Sequence, residues 1–382
     1  GDKVARRIAQ QAEEHQQRAE HAKQHHGGLH KLQHPQHPQG TAKQMGAAEA
    51  MVDLTMRFLP ARFALAGLFF AACVTSLCMG TSVGTIIALM PIAAGLAERT
   101  EMTLPIVAAA VVGGAFFGDN LSFISDTTIV STQSQGCKLS DKFRFNIRMV
   151  LPVAIIAGLI YIFLGSEATE VVAPQTIPFW KVIPYLTVLV CAAIGMNVLV
   201  VLVIANLLTC ITGIIGGSYD FMGWITSTLD GVMGMSELIL ISMLAGGIFA
   251  MISHNKGMDF IIERITSRVK HRWGAELSIC MLVAFANICT ANNTIAILSV
   301  GDISRRISER FGIDPRRSAS LLDTTSCCVQ GLLPYGAQLL MASGLAGISA
   351  MSIVPYLYYP TLLGIAVLAT IFILHKRNYS KQ

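Results

Sequence analysis

Between residues 61 and 374 one apolar segment follows another with only short polar or charged stretches between them, more apolar chain than a soluble core of this size encloses. Segments are read near 61–79, 82–97, 103–118, 147–165, 181–199, 200–216, 237–252, 275–300, 317–328, 332–347 and 352–374. Of the residues 53% are hydrophobic and only 13% charged, and mean hydropathy is +0.57, so lipid is the solvent for most of the chain. Several segments fall short of the roughly 20 residues that a straight helical crossing takes. Many are interrupted by glycine or polar residues, and backbone can break at membrane depth only where protein or a water-lined cavity receives its polar groups. The expected fold is therefore all-α, a polytopic membrane helical bundle with discontinuous or re-entrant helices. A β-barrel would alternate polar and apolar residues within strands of about ten residues.

The net charge of +5 is spread over short basic stretches at Lys138 to Arg148, Lys256 to Arg272, Arg305 to Arg317 and His375 to Lys381. Such clusters report which loops face the cytoplasm, and they make the lipid bilayer, not nucleic acid, the expected partner. Eight of the nine cysteines lie in or beside apolar stretches and read as small packing residues. Residues 1–45 differ from the rest: they carry seven of the ten histidines and read as a solvated loop or extension. A metal-capturing tract at His21, His25, His26, His30, His34 and His37 is the sharper alternative.

The segments repeat. Thr81-Ser82-Val83-Gly84-Thr85 aligns with Thr290-Ala291-Asn292-Asn293-Thr294, Glu98-Arg99 with Glu309-Arg310, and Gly118-Asp119-Asn120 with Val329-Gln330-Gly331. Each copy runs apolar helix, polar break, apolar helix, short charged loop, apolar helix and second break, as expected of a transporter with its site between two repeats. The organisation read from this is 46–175 as the first repeat, 176–236 as a connecting membrane segment and loop, 237–375 as the second repeat, and 376–382 as a basic tail. The apolar segment 237–252 ahead of the second copy has no counterpart ahead of the first, so upstream helices are expected to be missing before Gly1.

Charged groups at membrane depth are functional candidates because burying them in lipid is unfavourable. The run Gly118-Asp119-Asn120-Leu121-Ser122-Phe123-Ile124-Ser125-Asp126-Thr127-Thr128 concentrates oxygen donors, the ligands that hard cations take. The first candidates for cation and proton binding are Asp119, Asn120, Ser122, Ser125, Asp126 and Thr127, with Asn293 and Asp323 from the second copy. Thr81, Ser82, Thr85, Asn292, Thr294 and Gln330 are additional candidates. Asp119 and Asp126 are the expected sodium carboxylates. They would stand about 10 Å apart on an intact helix, so an unwound stretch from Gly118 to Ser125 is expected to bring them together. His254 is a weaker candidate for proton relay, and Glu237 and Glu276 are expected at water boundaries.

The run from Gly118 to Thr128, with Gly80-Thr81-Ser82-Val83-Gly84-Thr85 before it, resembles the NhaC-type sodium/proton antiporters of the ion transporter superfamily. The resemblance spans roughly residues 46–375, and Phe123 stands where many relatives carry proline. It implies an inverted-repeat fold and exchange of Na+, with Li+ as a further cargo, for H+ in a bacterial inner membrane. Neither it nor the residues call for a cofactor, and a homodimer is among the expected assemblies. Asp126 is the preferred coupling carboxylate, because Thr127 and Thr128 follow it. The alternative is a Na+-coupled carrier of a small organic acid or amino acid, which Arg or Lys inside a span would favour. The sequence lacks the Gly-x-Ser-x-Gly or His-Glu-x-x-His patterns of a membrane-embedded hydrolase, so an enzyme is not expected.

Overall fold

The computed structural model describes residues 60–166 except 124, residues 179–234 except 194, 195 and 197, and residues 271–379, with isolated positions elsewhere. The His-rich tract, Glu237 and most of the 237–252 segment lie outside the described residues; His254 is exposed on a helix.

Helices α1 (Ala61–Met79), α2 (Ser82–Thr100), α3 (Leu104–Leu121), α4 (Asp126–Gln135) and α5 (Leu139–Gly165) are followed by α6 (Phe179–Ala193), α7 (Val198–Ile215) and α8 (Phe221–Gly234). The last group is α9 (Arg272–Thr290), α10 (Asn293–Phe311), α11 (Pro315–Leu332), α12 (Ala337–Ala346), the short α13 (Ala350–Ile353) and α14 (Tyr358–Tyr379). Among the described residues five segments are long and apolar enough to cross a membrane, and a sixth arises if the chain from Pro315 to Tyr356, bent by 101°, counts as one. The chain is thus an all-α multi-pass membrane protein, and its surface fits that solvent. Leu151, Ile155, Leu159 and Phe163 of α5 point outward, whereas Asp119, Asn120, Ser125, Lys142 and Asp323 are buried.

Helices α1 to α4 have 19, 19, 18 and 10 residues, and so do α9 to α12. The bends match as well. Gly80 and Ala291 end the first helices in the left-handed conformation, and Thr81 and Asn292 cap the second helices through their side chains. Glu101 and Gly312 end those helices, again left-handed, and Gly136 and Gly347 end the fourth. Pro105 and Pro315 occupy the first turn of the third helices, where a missing N–H is harmless. Even one side-chain tie recurs: Ser76 Oγ donates to Ala115 O at 2.6 Å, and its twin Asn287 Nδ2 donates to Ser326 O at 2.7 Å.

Three expectations need correction. The segment 275–300 is not continuous: Ala291 and Asn292 separate α9 from α10. The stretch from Gly118 is not unwound, since α3 continues to Leu121 and the break covers only Ser122 to Ser125. In both cases one residue of suitable backbone conformation is enough to end a helix, so the break is shorter than the polar run around it. The basic stretch Lys138 to Arg148 is the first part of α5 and not a loop, because its apolar and polar residues follow helical spacing into the segment beyond.

Helices α1 and α3 are held close by glycine. A Cβ on Gly118 would lie 2.4 Å from Leu77 N and Ser76 Cβ, and one on Gly114 would lie 2.4 Å from Phe69 O. Gly118→Ala is therefore expected to force the helices apart and lower stability by about 1–3 kcal/mol. Thermal unfolding in detergent measures this, and an unchanged melting temperature would show that the contact yields freely.

Candidate functional site

The four breaks meet. Gly80-Thr81 and Ala291-Asn292 come from one pair of matching positions, and the ends of α3 and α11 with the starts of α4 and α12 from the other. Between them lies a cavity of about 160 Å³, large enough for a small cation with several waters. Its lining is made of twins: Gly80 with Ala291, Thr81 with Asn292, Ser82 with Asn293, Val83 with Thr294, Asp119 with Gln330, Asp126 with Ala337, and Thr127 with Gln338.

Asp119 sits on the last turn of α3, 5% exposed, with its carboxylate at this cavity. Ser125 Oγ donates to Oδ1 at 2.5 Å, Ser82 Oγ to Oδ2 at 2.9 Å, and Asn293 Nδ2 reaches Oδ2 at 3.5 Å. All three partners are neutral. The twin half ties itself in: Gln338 Nε2 donates to Ser82 Oγ at 3.0 Å, and Gln330 Nε2 donates to Ala291 O at 2.8 Å and to Gln338 Oε1 at 3.0 Å. An ionised carboxylate removed from water with only neutral donors around it is held at a cost, which a proton or a cation relieves.

Behind the cavity lies a full ion pair. Lys142, 1% exposed, donates to Asp323, 0% exposed, to Asn120 O at 2.8 Å and to Thr128 Oγ1 at 2.8 Å. Its three protons thus have three acceptors. Thr127 stands between the two carboxylates: its hydroxyl is 3.0 Å from Ser125 Oγ and lies near Asp323. Asp119, Ser125, Thr127, Asp323 and Lys142 thus form one buried polar group.

Of the residues expected at the site, Asp119, Asp126, Thr127, Asn293, Thr81, Ser82, Asn292, Thr294 and Gln330 line the cavity, and Ser125 is bonded to Asp119. Asp126 is exposed, at the first position of α4. Four others lie apart. Asn120 Oδ1 accepts from Asn146 Nδ2 at 3.0 Å, Ser122 Oγ donates to Leu77 O at 2.9 Å, and Thr85 Oγ1 donates to Thr81 O at 2.9 Å within its own helix. Asp323 is the fourth, held by Lys142 and not at the cavity.

Lys142, Asn146 and Gln338 are the residues that sequence reasoning missed. A signal for the first two existed: Lys142, Asn146 and Val150 recur at four-residue spacing and are buried, while Lys138, Arg144 and Arg148 are exposed. Glu276 is also corrected, since it is buried and accepts from Arg317 Nη2 at 3.0 Å instead of facing water. An arginine from a distant part of the sequence, itself drawn inward, makes that burial possible.

The profile of the Na+/H+ antiporter family matches residues 40–166 and 167–376. The chain belongs to the Na+/H+ antiporter family. It is 21% identical over 350 residues to the malate-2H(+)/Na(+)-lactate antiporter of Bacillus subtilis (strain 168), covering 82% of this chain and 74% of the relative. It is 23% identical to the Na(+)/H(+) antiporter NhaC of Alkalihalophilus pseudofirmus, covering 73% of this chain and 66% of that one. It is 22% identical to the arginine/ornithine antiporter ArcD of Halobacterium salinarum, with 73% and 64% covered. Membership makes the chain a transporter, with cation and proton exchange as the family's general activity.

Proposed function

We propose that the chain exchanges Na+ for H+ across a bacterial cytoplasmic membrane, with the break-lined cavity as its site and Asp119 as the group for which the two cargoes compete. One observation carries this reading: a buried carboxylate faces the cavity with Ser82, Ser125 and Asn293 as its hydrogen-bond partners, none of them charged. Such a group binds either a proton or a small cation, and binding of one displaces the other. The oxygens of Ser82, Asp119, Thr127 and Asn293 suit a hard monovalent cation. The twin halves are taken to be inverted repeats that rock about this site, exposing it to each side in turn.

Asp126 is assigned the mouth of the cavity and not the coupling role, since it is exposed and lines the same space. Asp126→Asn is expected to keep pH-dependent exchange while weakening apparent Na+ affinity by a factor of about two to five, the scale of one charge a few ångströms away in a wet environment. Loss of all exchange in a well-inserted Asp126 variant would return the coupling role to that residue.

A carrier of a small carboxylate is the second reading, prompted by the malate and lactate exchange named for the Bacillus relative. Against it, none of the described residues lining the cavity is basic, and Lys142 is neutralised by Asp323. The deciding experiment is dissipation of a proton gradient in everted vesicles on addition of Na+, Li+, K+, malate, lactate or arginine. A response to Na+ alone supports the exchange reading, and a response that needs an organic solute sinks it.

A further inference from the structure

The two halves agree in backbone but not in what they bury. Helices α4, α10 and α11 meet along a seam that carries a line of polar contacts. Gln135 Nε2 donates to Gly301 O at 2.9 Å, Ser318 Oγ donates to Gln135 Oε1 at 2.8 Å, and Ser308 Oγ is 2.8 Å from Ser318 Oγ. Ser304 lies one turn from both Gly301 and Ser308, so it shares their face toward α4. On α4, Thr128, Ser131 and Gln135 are buried at helical spacing, and Thr128 Oγ1 accepts from Lys142 Nζ at 2.8 Å. Ser304 is fully buried, and among the described residues its hydroxyl has no hydrogen-bond partner. The seam starts beside the Lys142–Asp323 pair and ends where Gly136 meets Arg305 at the exposed end of the bundle.

The matching seam in the other half, between α2, α3 and α12, is polar at the cavity, where Gln338 meets Ser82, and apolar at the positions that match the serines. Ser304, Ser308 and Ser318 have as twins Ala93, Ala97 and Val107, all buried. Close packing alone is therefore achieved in this backbone without hydroxyls. Unpartnered buried hydroxyls are unfavourable by a kilocalorie or more unless water or an ion reaches them, and repeated hydroxyls along one seam suit a file of water. We infer that the α4–α10–α11 seam is the hydrated route by which protons pass between the Lys142–Asp323 pair and the Arg305 end of the bundle. The inference rests on the Na+/H+ reading only in naming the proton as the traveller.

The test uses purified protein in liposomes. The Ser304→Ala variant, which installs what the twin seam already carries, is expected to lower Na+-driven proton flux roughly fivefold, as for loss of one water-bridging group. Apparent Na+ affinity and melting temperature should stay at parental values. Flux at the parental rate would overturn the route. Independently of transport, the thiol introduced by Ser304→Cys should react with a small water-soluble methanethiosulfonate, read at that position by mass spectrometry. A thiol that stays unmodified under every Na+ and pH condition would make the seam dry packing. If the parental protein moves no protons with Na+, the exchange reading falls, while the thiol result still decides whether water enters the seam.

Discussion

Asp119→Asn is expected to abolish Na+-driven proton movement, by about two orders of magnitude or more, the scale for removing a group that must itself gain and lose the proton. The amide keeps the shape: its carbonyl can still accept from Ser82, now 2.9 Å from Oδ2, while its Nδ2 can donate to Ser125 Oγ, now 2.5 Å from Oδ1. Folding should not suffer, because a neutral amide is easier to bury than a carboxylate whose partners are all neutral. The variant should accumulate in the membrane at parental level and melt no lower. Asp119→Gln makes the same point from inside the molecule, since Gln330 occupies the twin position in the same backbone setting. Pulse-driven proton flux in proteoliposomes, measured beside membrane yield, decides the matter. Robust pH-dependent exchange by either variant would remove Asp119 from the coupling role.

The second large effect concerns the ion pair. Lys142→Met leaves Asp323 buried without its cation, and breaking one side of such a pair destabilises by about 3–5 kcal/mol. The variant is expected to show a large drop in melting temperature in detergent. The charge-free double variant Lys142→Met/Asp323→Asn should recover most of that stability, because neither charge is then left alone, yet should remain inactive in exchange. A double variant that transports normally would show that the pair only holds the helices together. A Lys142→Met protein as stable as the parent would mean that water already screens the pair.

Much of this architecture could be read from the residues. The helices at 61–79, at 82 onward and near 103–118 emerged from apolar length alone. The alignment of Asp119 with Gln330 anticipated two residues that share a cavity, whereas the alignment of Ser82 with Ala291 was two residues out of register, since the helix ends pair Ser82 with Asn293. Local chemistry was legible because oxygen donors crowded into an apolar stretch are unfavourable unless protein, water or an ion receives them. What stayed hidden was direction. Asp126 and Asp119 look alike in sequence, but one falls just after the break, at the exposed start of α4, and the other on the buried last turn of α3. Lys142 was hidden by its neighbours: a basic cluster reads as a loop marker, and only the helical phase of α5 separates the inward Lys142 from the outward Arg144 and Arg148. Asp323 looked like a ligand because its partner lay 181 residues away in sequence.

The matched helix lengths bear on how such a molecule can turn over at all. A carrier of the proposed kind needs two end states of nearly equal free energy, since a bias of several kcal/mol toward one side would leave the other almost unpopulated. When two halves share lengths and bends, the contacts that one half gives up in the rocking motion resemble those that the other takes on. Large packing energies then cancel by construction instead of through separate tuning of each contact. What is left is the unmatched remainder: hydroxyls facing alanines, Asp119 facing Gln330, and Ala291 at φ 50° where its twin is Gly80. For alanine the left-handed conformation is unfavourable by about 1–2 kcal/mol. Terms of that size are small enough for the arrival of one ion or one proton to reverse the balance.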